Sequence, residues 1–367
     1  MLIIKIRRFF LLFSQEEVLG RRILWFVLLG LGFNLLFGSL FYLAEHQAQK
    51  DLSFADSLWW AMVTMTTVGY GDISPVTYWG RFVISYLCMF FGIGVIGYLV
   101  GFMAEHILNT ITRSKKGLMK ILDENHLILC NFPGENKLLE LVGELRAHPG
   151  NKDLVFVLIS DELDELPQAL KKSYIRFVKG APSDEEILFK ANVLKCQGVI
   201  ILSKDIGSEI VDERNFAIGA IIEIIEKEFQ TPIKTVVEVV YKKNFKLIKR
   251  SNVDGMISTE GITSKMLAQE YLNPGVYDVI QQILSNAVGS QFFILPTRLN
   301  GFQVAEVQTG VINHAASMQL IGLIRDEKKI LNPPKNTRIQ EGDKLILLAE
   351  RVRDFEEVEN QILQTHS

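Results

Sequence analysis

The chain has 367 residues, 48% of them hydrophobic, with 39 Lys+Arg against 42 Asp+Glu and a formal charge of −3. That length holds two or three modules, and so even and diffuse a charge balance argues against nucleic acid or another polyanion as a partner. Three scattered cysteines (Cys88, Cys130, Cys196) lack CxxC spacing, which favours core thiols in a reducing compartment over a metal site.

In chain order, residues 1–122 carry 11 basic and 7 acidic side chains and are strongly apolar, whereas the remainder carries 28 and 35 and reads as soluble α/β protein. Residues 1–22 are expected to form an interfacial element, with Met1 to Phe13 a basic amphipathic helix on the inner leaflet. A signal peptide is not expected, because basic residues interrupt the apolar run and no small-residue cleavage site follows. Ile23 to Ala44 is free of charge over 22 residues, about 33 Å of helix. Phe82 to Ala104 is free of charge over 23, about 35 Å. Arg7, Arg8, Arg21 and Arg22 precede the first stretch, and Arg113, Lys115, Lys116 and Lys120 follow the second. By the positive-inside rule the chain is expected to be a multi-pass protein of the cell (inner) membrane, in contact with lipid, with both termini and the soluble part cytoplasmic. Roughly 22 residues before the first span leave no room for an arginine-bearing voltage sensor, so voltage is not the expected trigger.

Between the spans, Asp56 is a candidate N-cap for a short helix through Thr66 that carries Trp59, Trp60 and Met62. The C-terminal end of its dipole would favour a cation. There follows Thr67-Val68-Gly69-Tyr70-Gly71-Asp72. Glycines at 69 and 71 permit backbone dihedrals closed to other residues, so that carbonyl oxygens and the Thr67 hydroxyl can face one axis. Several copies around that axis would replace the water shell of a monovalent cation. The hexapeptide resembles the selectivity filter of potassium channels. The run from Leu58-Trp59-Trp60 to Pro75-Val76-Thr77 and Trp79-Gly80-Arg81 resembles bacterial two-helix members. The resemblance implies a homotetramer, K+ ions held at Thr67, Val68, Gly69 and Tyr70, and Asp72 at the outer mouth with Trp60 donating to it. Where some relatives carry a glutamate behind the filter, this chain has Val63, so current decay during sustained opening is expected to be weak. Asn34, mid-span, is expected to make an interhelical hydrogen bond. Gly92, Gly94 and Gly97 in the second span are candidates for a gating hinge, with close helix packing as the alternative, and the family resemblance selects Gly92.

The resemblance thus implies a pore domain over residues 23–106, and 107–123 is expected to be a polar, basic linker. From 124 to 260, apolar β-branched runs at 126–130, 154–159, 175–178, 198–202, 235–240 and 255–258 alternate with helical stretches near 135–147, 183–194, 208–229 and 242–250. That alternation predicts a doubly wound, Rossmann-like parallel sheet. Residues 261–287 read as a helix pair broken at Asn273-Pro274-Gly275. Residues 288–367 form a small α+β lobe and tail, with strands expected at 291–295, 304–308, 319–324 and 344–349. A two-helix pore followed by these lobes resembles channels with domains that regulate K+ conductance (RCK domains, akin to the TrkA-N and TrkA-C modules). The resemblance implies ligand gating, with eight such domains in a ring beneath the pore and the 261–287 helices at a subunit contact. Met119 is a candidate internal start for the four untethered copies.

The ligand is left open by the residues. After the first strand the chain reads Cys130-Asn131-Phe132-Pro133-Gly134-Glu135, a poor phosphate loop: Pro133 lacks a donor and Glu135 is acidic. Asn131, Gly134, Asp161 (where a ribose hydroxyl would bind) and Gly180 are the candidate contacts for a nucleotide such as NAD, ADP or ATP, and an empty structural lobe is the alternative. Of the positions where calcium-gated relatives place ligands, Leu202, Glu238 and Val240, only Glu238 is a carboxylate, which counts against Ca2+ there because a hard divalent cation wants several oxygens. Asp205, Glu209, Asp212 and Glu213 nearby read as a solvated helix face. The competing readings are a non-selective cation channel, a membrane-tethered NAD-dependent oxidoreductase, and a regulatory subunit of a K+ transporter. The degraded phosphate loop and lack of an acid–base constellation argue against an enzyme.

Overall fold

The computed structural model describes residues 17–204, 210–258, 260–287, 289–315, 317–351 and 353–365. The chain divides into two compact units, Met1–Thr112 and Arg113–Ser367. The expected helix over residues 1–13, and Asp205 and Glu209, lie outside the described residues.

The first unit holds two helices long and apolar enough to cross a membrane, with candidate spans Ile23–Glu45 and Gly80–Lys115. They belong to α1 (Glu17–Glu45) and to a π-helical turn (Gly80–Ile84) that runs into α3 (Ser85–Lys115). Between them lies the short α2 (Phe54–Met65). Its cap is Ser53, whose hydroxyl accepts from the Asp56 amide while the Asp56 carboxylate accepts from the Ser53 amide, both near 3 Å. Asp56 is therefore the third helical residue of a capping box rather than the cap. A stack of Phe41 on Trp60 (3.8 Å between ring centres, 15°) packs α1 to α2, and Asn34 donates across to the Leu58 carbonyl at 3.1 Å.

The second unit opens on a six-stranded, wholly parallel sheet of order β3-β2-β1-β4-β5-β6. Its strands are β1 (Leu127–Cys130), β2 (Phe156–Ser160), β3 (Ile175–Lys179), β4 (Gly198–Ile201), β5 (Thr235–Val239) and β6 (Gly255–Ser258). Helices cover both faces, as a near-continuous apolar strand pattern requires. They are α4 (Glu135–Ala147), α5 (Gln168–Lys172), α6 (Glu185–Lys190), α7 (Ile210–Phe229) and the single turn α8 (Phe245–Ile248). The helices expected over 183–194 and 242–250 are thus shorter: left-handed Asn192 ends the first region's regular helix, and α8 is flanked by 3-10 turns.

The segment ahead of β1 is strapped to this sheet. The Gly117 carbonyl accepts from the Lys179 amide at 3.0 Å and from Lys190 Nζ at 3.0 Å, and Ile121 is buried in the core. Gly117 has φ +67, and a Cβ there would meet the Lys179 nitrogen at 2.5 Å, so glycine is required on two counts.

Two helices follow, α9 (Ile262–Leu272) and α10 (Val276–Leu284), separated where Gly275 adopts φ +96. The last lobe is an antiparallel sheet of order β7-β10-β8-β9, built from β7 (Gln291–Pro296), β8 (Met318–Arg325), β9 (Lys328–Leu331) and β10 (Lys344–Ala349). Residues 304–308 are not a strand. They open α11 (Val304–His314), where Val304, Val307 and Val311 recur at helical spacing and are buried, and Glu306 closes a capping box on Gln303. Helix α12 (Arg353–Thr365) packs on α11.

His126, just before β1, is fully buried; its Nε2 lies 2.8 Å from the Ala191 carbonyl, and its Nδ1 has no partner. Burial holds its imidazole below the usual value, against smaller opposing contributions from Ala191 and Asp123. The unfolded chain therefore takes up a proton near pH 6.5 that the folded chain refuses. Stability is full above that pH and falls below it, by at most about 1.4 kcal/mol per pH unit. Thermal melts of the protein between pH 7 and pH 5 should show this slope, and His126→Gln should flatten it.

Candidate functional site

The residues expected to contact an ion lie on the segment that leaves α2. The Thr66 amide ends the helix on the Met62 carbonyl at 3.0 Å. The chain then takes positive φ at every second residue: Thr67 (+63), Gly69 (+57) and Gly71 (+77). Alternating backbone hand turns successive carbonyls toward one side, which is what a cation path lined by main-chain oxygens needs. Glycine supplies two of these conformations at no steric cost. Thr67 is β-branched and supplies the third under strain of about 1–3 kcal/mol. No sequence signal marked it. Behind the segment, the Val63 carbonyl accepts from the Val68 amide at 3.1 Å and the Gly69 amide at 3.3 Å. Val63 itself is buried.

At the outer end, Asp72 accepts from the Trp59 indole at 2.9 Å. The expected donor was Trp60, but that ring is buried on Phe41, and it is Trp59, 44% exposed, that turns to the loop and stacks on Tyr70 (5.9 Å, 6°). Of the three candidate hinge glycines, Gly92 is buried, and a Cβ there would come within 2.5 Å of the Met65 backbone. Gly94 and Gly97 are exposed, with nothing of this chain within 4 Å of an added Cβ. Asn131, Gly134, Asp161 and Gly180 belong to the other unit, at the carboxyl ends of the strands, where ligands of doubly wound sheets bind.

Side chains of the chain itself pair with one another along that crevice. Buried Asn131 donates to the Leu202 carbonyl (2.8 Å) and to Asn215 Oδ1 (3.1 Å). Asn215 in turn donates to the Ser203 hydroxyl and the Glu238 carbonyl. The Glu238 carboxylate takes the Lys137 ammonium at 2.5 Å on one oxygen and the Ser203 amide at 2.8 Å on the other. Asp161 and Glu162 share Lys204 at 2.5 and 3.0 Å. Burial opposes ionisation of Asp161, but Lys204 outweighs it and holds the carboxyl below the usual range. Gly134 (φ +109) opens α4 without a side-chain cap, and Gly180 (φ +153) passes against Ile187.

Asp212 departs from the solvated face expected of it. It is fully buried and accepts from the Val240 and Tyr241 amides and from Asn244 Nδ2 at 2.7–3.1 Å. Among the described residues, no group of three or more His, Cys, Asp and Glu could hold a metal ion. Burial pushes the thiol of half-buried Cys196 up to about 11 and raises buried Cys130 as well, which disfavours the reactive thiolate in both.

Two family models match: "Ion channel" over residues 29–109 and "Calcium-activated potassium channel slowpoke-like RCK domain" over residues 123–235. The calcium-gated potassium channel TvoK of Thermoplasma volcanium is 26% identical over 326 residues, spanning 85% of this chain and 88% of its own. Potassium channel protein 1 of Methanocaldococcus jannaschii is 24% identical over 300 residues, 79% of this chain and 84% of its own. Among solved structures, the GsuK channel bound to NAD matches with a TM-score of 0.46 at 19% identity, over 93% of this chain but only 59% of that longer one. The chain therefore joins an ion-channel domain and an RCK domain in one polypeptide and is homologous across both to prokaryotic potassium channels, which are channels rather than enzymes.

Proposed function

We propose that the chain forms a K+-selective pore, as a homotetramer with one 67–72 segment from each subunit, and that its RCK domains gate the pore in response to a cytoplasmic ligand. The reading is carried by the alternating positive φ of Thr67, Gly69 and Gly71, set between two membrane-length helices and at the C-terminal end of α2. Thr67 to Tyr70 would supply the K+ ligands and Asp72 the outer mouth. Residues 23–106 are the pore, 124–260 and 288–367 the two lobes, and 261–287 the subunit contact. The RCK domains face the cytoplasm, in a ring of eight completed by free copies begun at Met119. Such a product would keep Ile121 in the core while lacking Gly117 and the bonds its carbonyl makes. It would show as a second, shorter band on a gel of the purified protein.

For the ligand, the paired carboxylates decide what each class would have to displace. A divalent cation at Glu238 must evict Lys137, and a nucleotide ribose at Asp161 must evict Lys204. The Thermoplasma relative is calcium-gated by name; here a tethered ammonium already sits on the one carboxylate left at the corresponding place. Both classes would thus have to displace a lysine, and the recordings below decide between them. The test is flux from liposomes containing the purified protein, followed by single-channel recording with nucleotides and divalent cations added separately to the RCK side. K+ should pass and Na+ should not. Equal passage of both ions, or nicotinamide-dependent turnover without flux, would defeat the proposal.

A further inference from the structure

Glu45, the last residue of α1, is a carboxylate with no accessible surface at all. A charge removed from water this completely persists only when it is fully hydrogen-bonded. Its Oε1 accepts from the Thr77 amide (3.0 Å) and the Thr77 hydroxyl (2.6 Å), and its Oε2 from the Val76 amide (3.0 Å) and Gln49 Nε2 (3.0 Å). All four donors are neutral, and three of them belong to the loop that carries the chain away from Asp72. Gln49 adds a bond to the Ser74 carbonyl, and the Thr77 hydroxyl accepts from the Gly80 amide at 3.0 Å. Position 80 must be glycine, because a Cβ would overlap the Glu45 carboxylate. None of these bonds is needed to hold α1 to α2, which the Phe41–Trp60 stack and Asn34 already do.

We infer that Glu45 is a positioning residue for ion discrimination: its carboxylate suspends residues 74–77 from the end of α1 and so fixes the outer end of the 67–72 segment. The segment is then held at its exit from two sides, by the Trp59 indole on Asp72 and by the Glu45 cage a few residues on. Main-chain oxygens select an ion by their spacing and number, so a loop free to drift would blunt that selection. Glutamine is the informative replacement, since it keeps the shape, removes the charge and turns one acceptor into a donor facing amide donors.

The inference rests on the K+-channel reading, and the experiment separates the two. Reconstituted wild-type protein is measured first for its K+/Na+ permeability ratio and for the rise in melting temperature on replacing Na+ with K+, which reports K+ bound to the folded state. Absence of both effects in the wild type would defeat the channel reading itself. Glu45→Gln should raise relative Na+ permeability about tenfold, the scale of one lost hydrogen bond to a charged group. It should also abolish most of the K+-specific thermal shift. Thr77→Val, which keeps the carboxylate and removes one donor to it along with the acceptor of the Gly80 amide, should move both readouts the same way by less, and it decides the matter if Glu45→Gln does not fold. Wild-type ratios in a folded Glu45→Gln, or a melting temperature lowered equally in both salts with the ratio unchanged, would overturn the inference.

Discussion

Gly92→Ala should abolish most K+ conduction by displacing the end of α2, with unitary conductance and selectivity damaged along with open probability. The alanine methyl would lie 2.5 Å from Met65 Cα and 2.6 Å from its carbonyl oxygen, and backbone cannot rotate aside as a side chain does. Replacing glycine inside a helix gains up to about 1 kcal/mol of propensity, whereas overpacking costs about 1–3 kcal/mol or more, so the clash wins. The displaced turn is the one that aims the Val63 carbonyl at the Val68 and Gly69 amides, two residues from the strained Thr67. Gly94→Ala and Gly97→Ala meet nothing within this chain and give the propensity effect alone. Single-channel recordings separate the cases. If Gly92→Ala lowers open probability while leaving unitary conductance and selectivity intact, Gly92 acts as a hinge and the packing account fails.

The parallel sheet was legible because its strands are nearly unbroken apolar runs, as in Phe156 to Ser160, where all five residues are buried. Helix α11 was not, because Ala305-Glu306-Val307-Gln308 alternates well enough to pass for a strand, and the deciding signals lie outside that window at Gln303 and Val311. Strand β9 escaped because Lys328-Lys329 opens it; paired only to β8, it is an edge strand whose charges face water. In the 67–72 segment the glycines announced two of the three left-handed residues, while Thr67 gave no sign, since nothing local favours that conformation in a β-branched residue. Trp59 and Trp60 are adjacent and identical in type, so which one reaches Asp72 is set by the burial of Trp60 on Phe41, a contact 19 positions distant in sequence. The pairing of Lys137 with Glu238 and of Lys204 with Asp161 joins residues 101 and 43 positions apart and exists only after the sheet has formed.

Asp212→Ala should cost the second unit about 3–5 kcal/mol, the scale of stranding the neutral donors that converge on one buried carboxylate. A sequence window cannot distinguish this residue from Glu213, its exposed neighbour in the first turn of α7. What distinguishes them is the chain leaving β5, which delivers the amides of Val240 and Tyr241 and the side chain of Asn244 to one carboxylate. Removing it strands the buried Val240 amide, which costs about 1–3 kcal/mol, and the half-buried Tyr241 amide and Asn244 side chain, which cost less each. For a unit of this size each kcal/mol lowers the melting temperature by about 2–4 °C, so a fall of roughly 10 °C is expected. Glu213→Ala, a surface change, should stay within about 0.5 kcal/mol. Melting curves of the two variants in the same detergent, with hydrogen exchange read at Val240 and Tyr241, check both halves of the argument. The carboxylate also ties the start of α7 to the end of β5, beside the crevice where Glu238 and Asn215 meet. Loosening it should therefore weaken the response of the pore to any ligand that acts through this crevice. Asp212→Asn, which keeps one acceptor oxygen, should fall between alanine and wild type on both measures, and equal melting of Asp212→Ala and Glu213→Ala would show that the buried carboxylate anchors nothing.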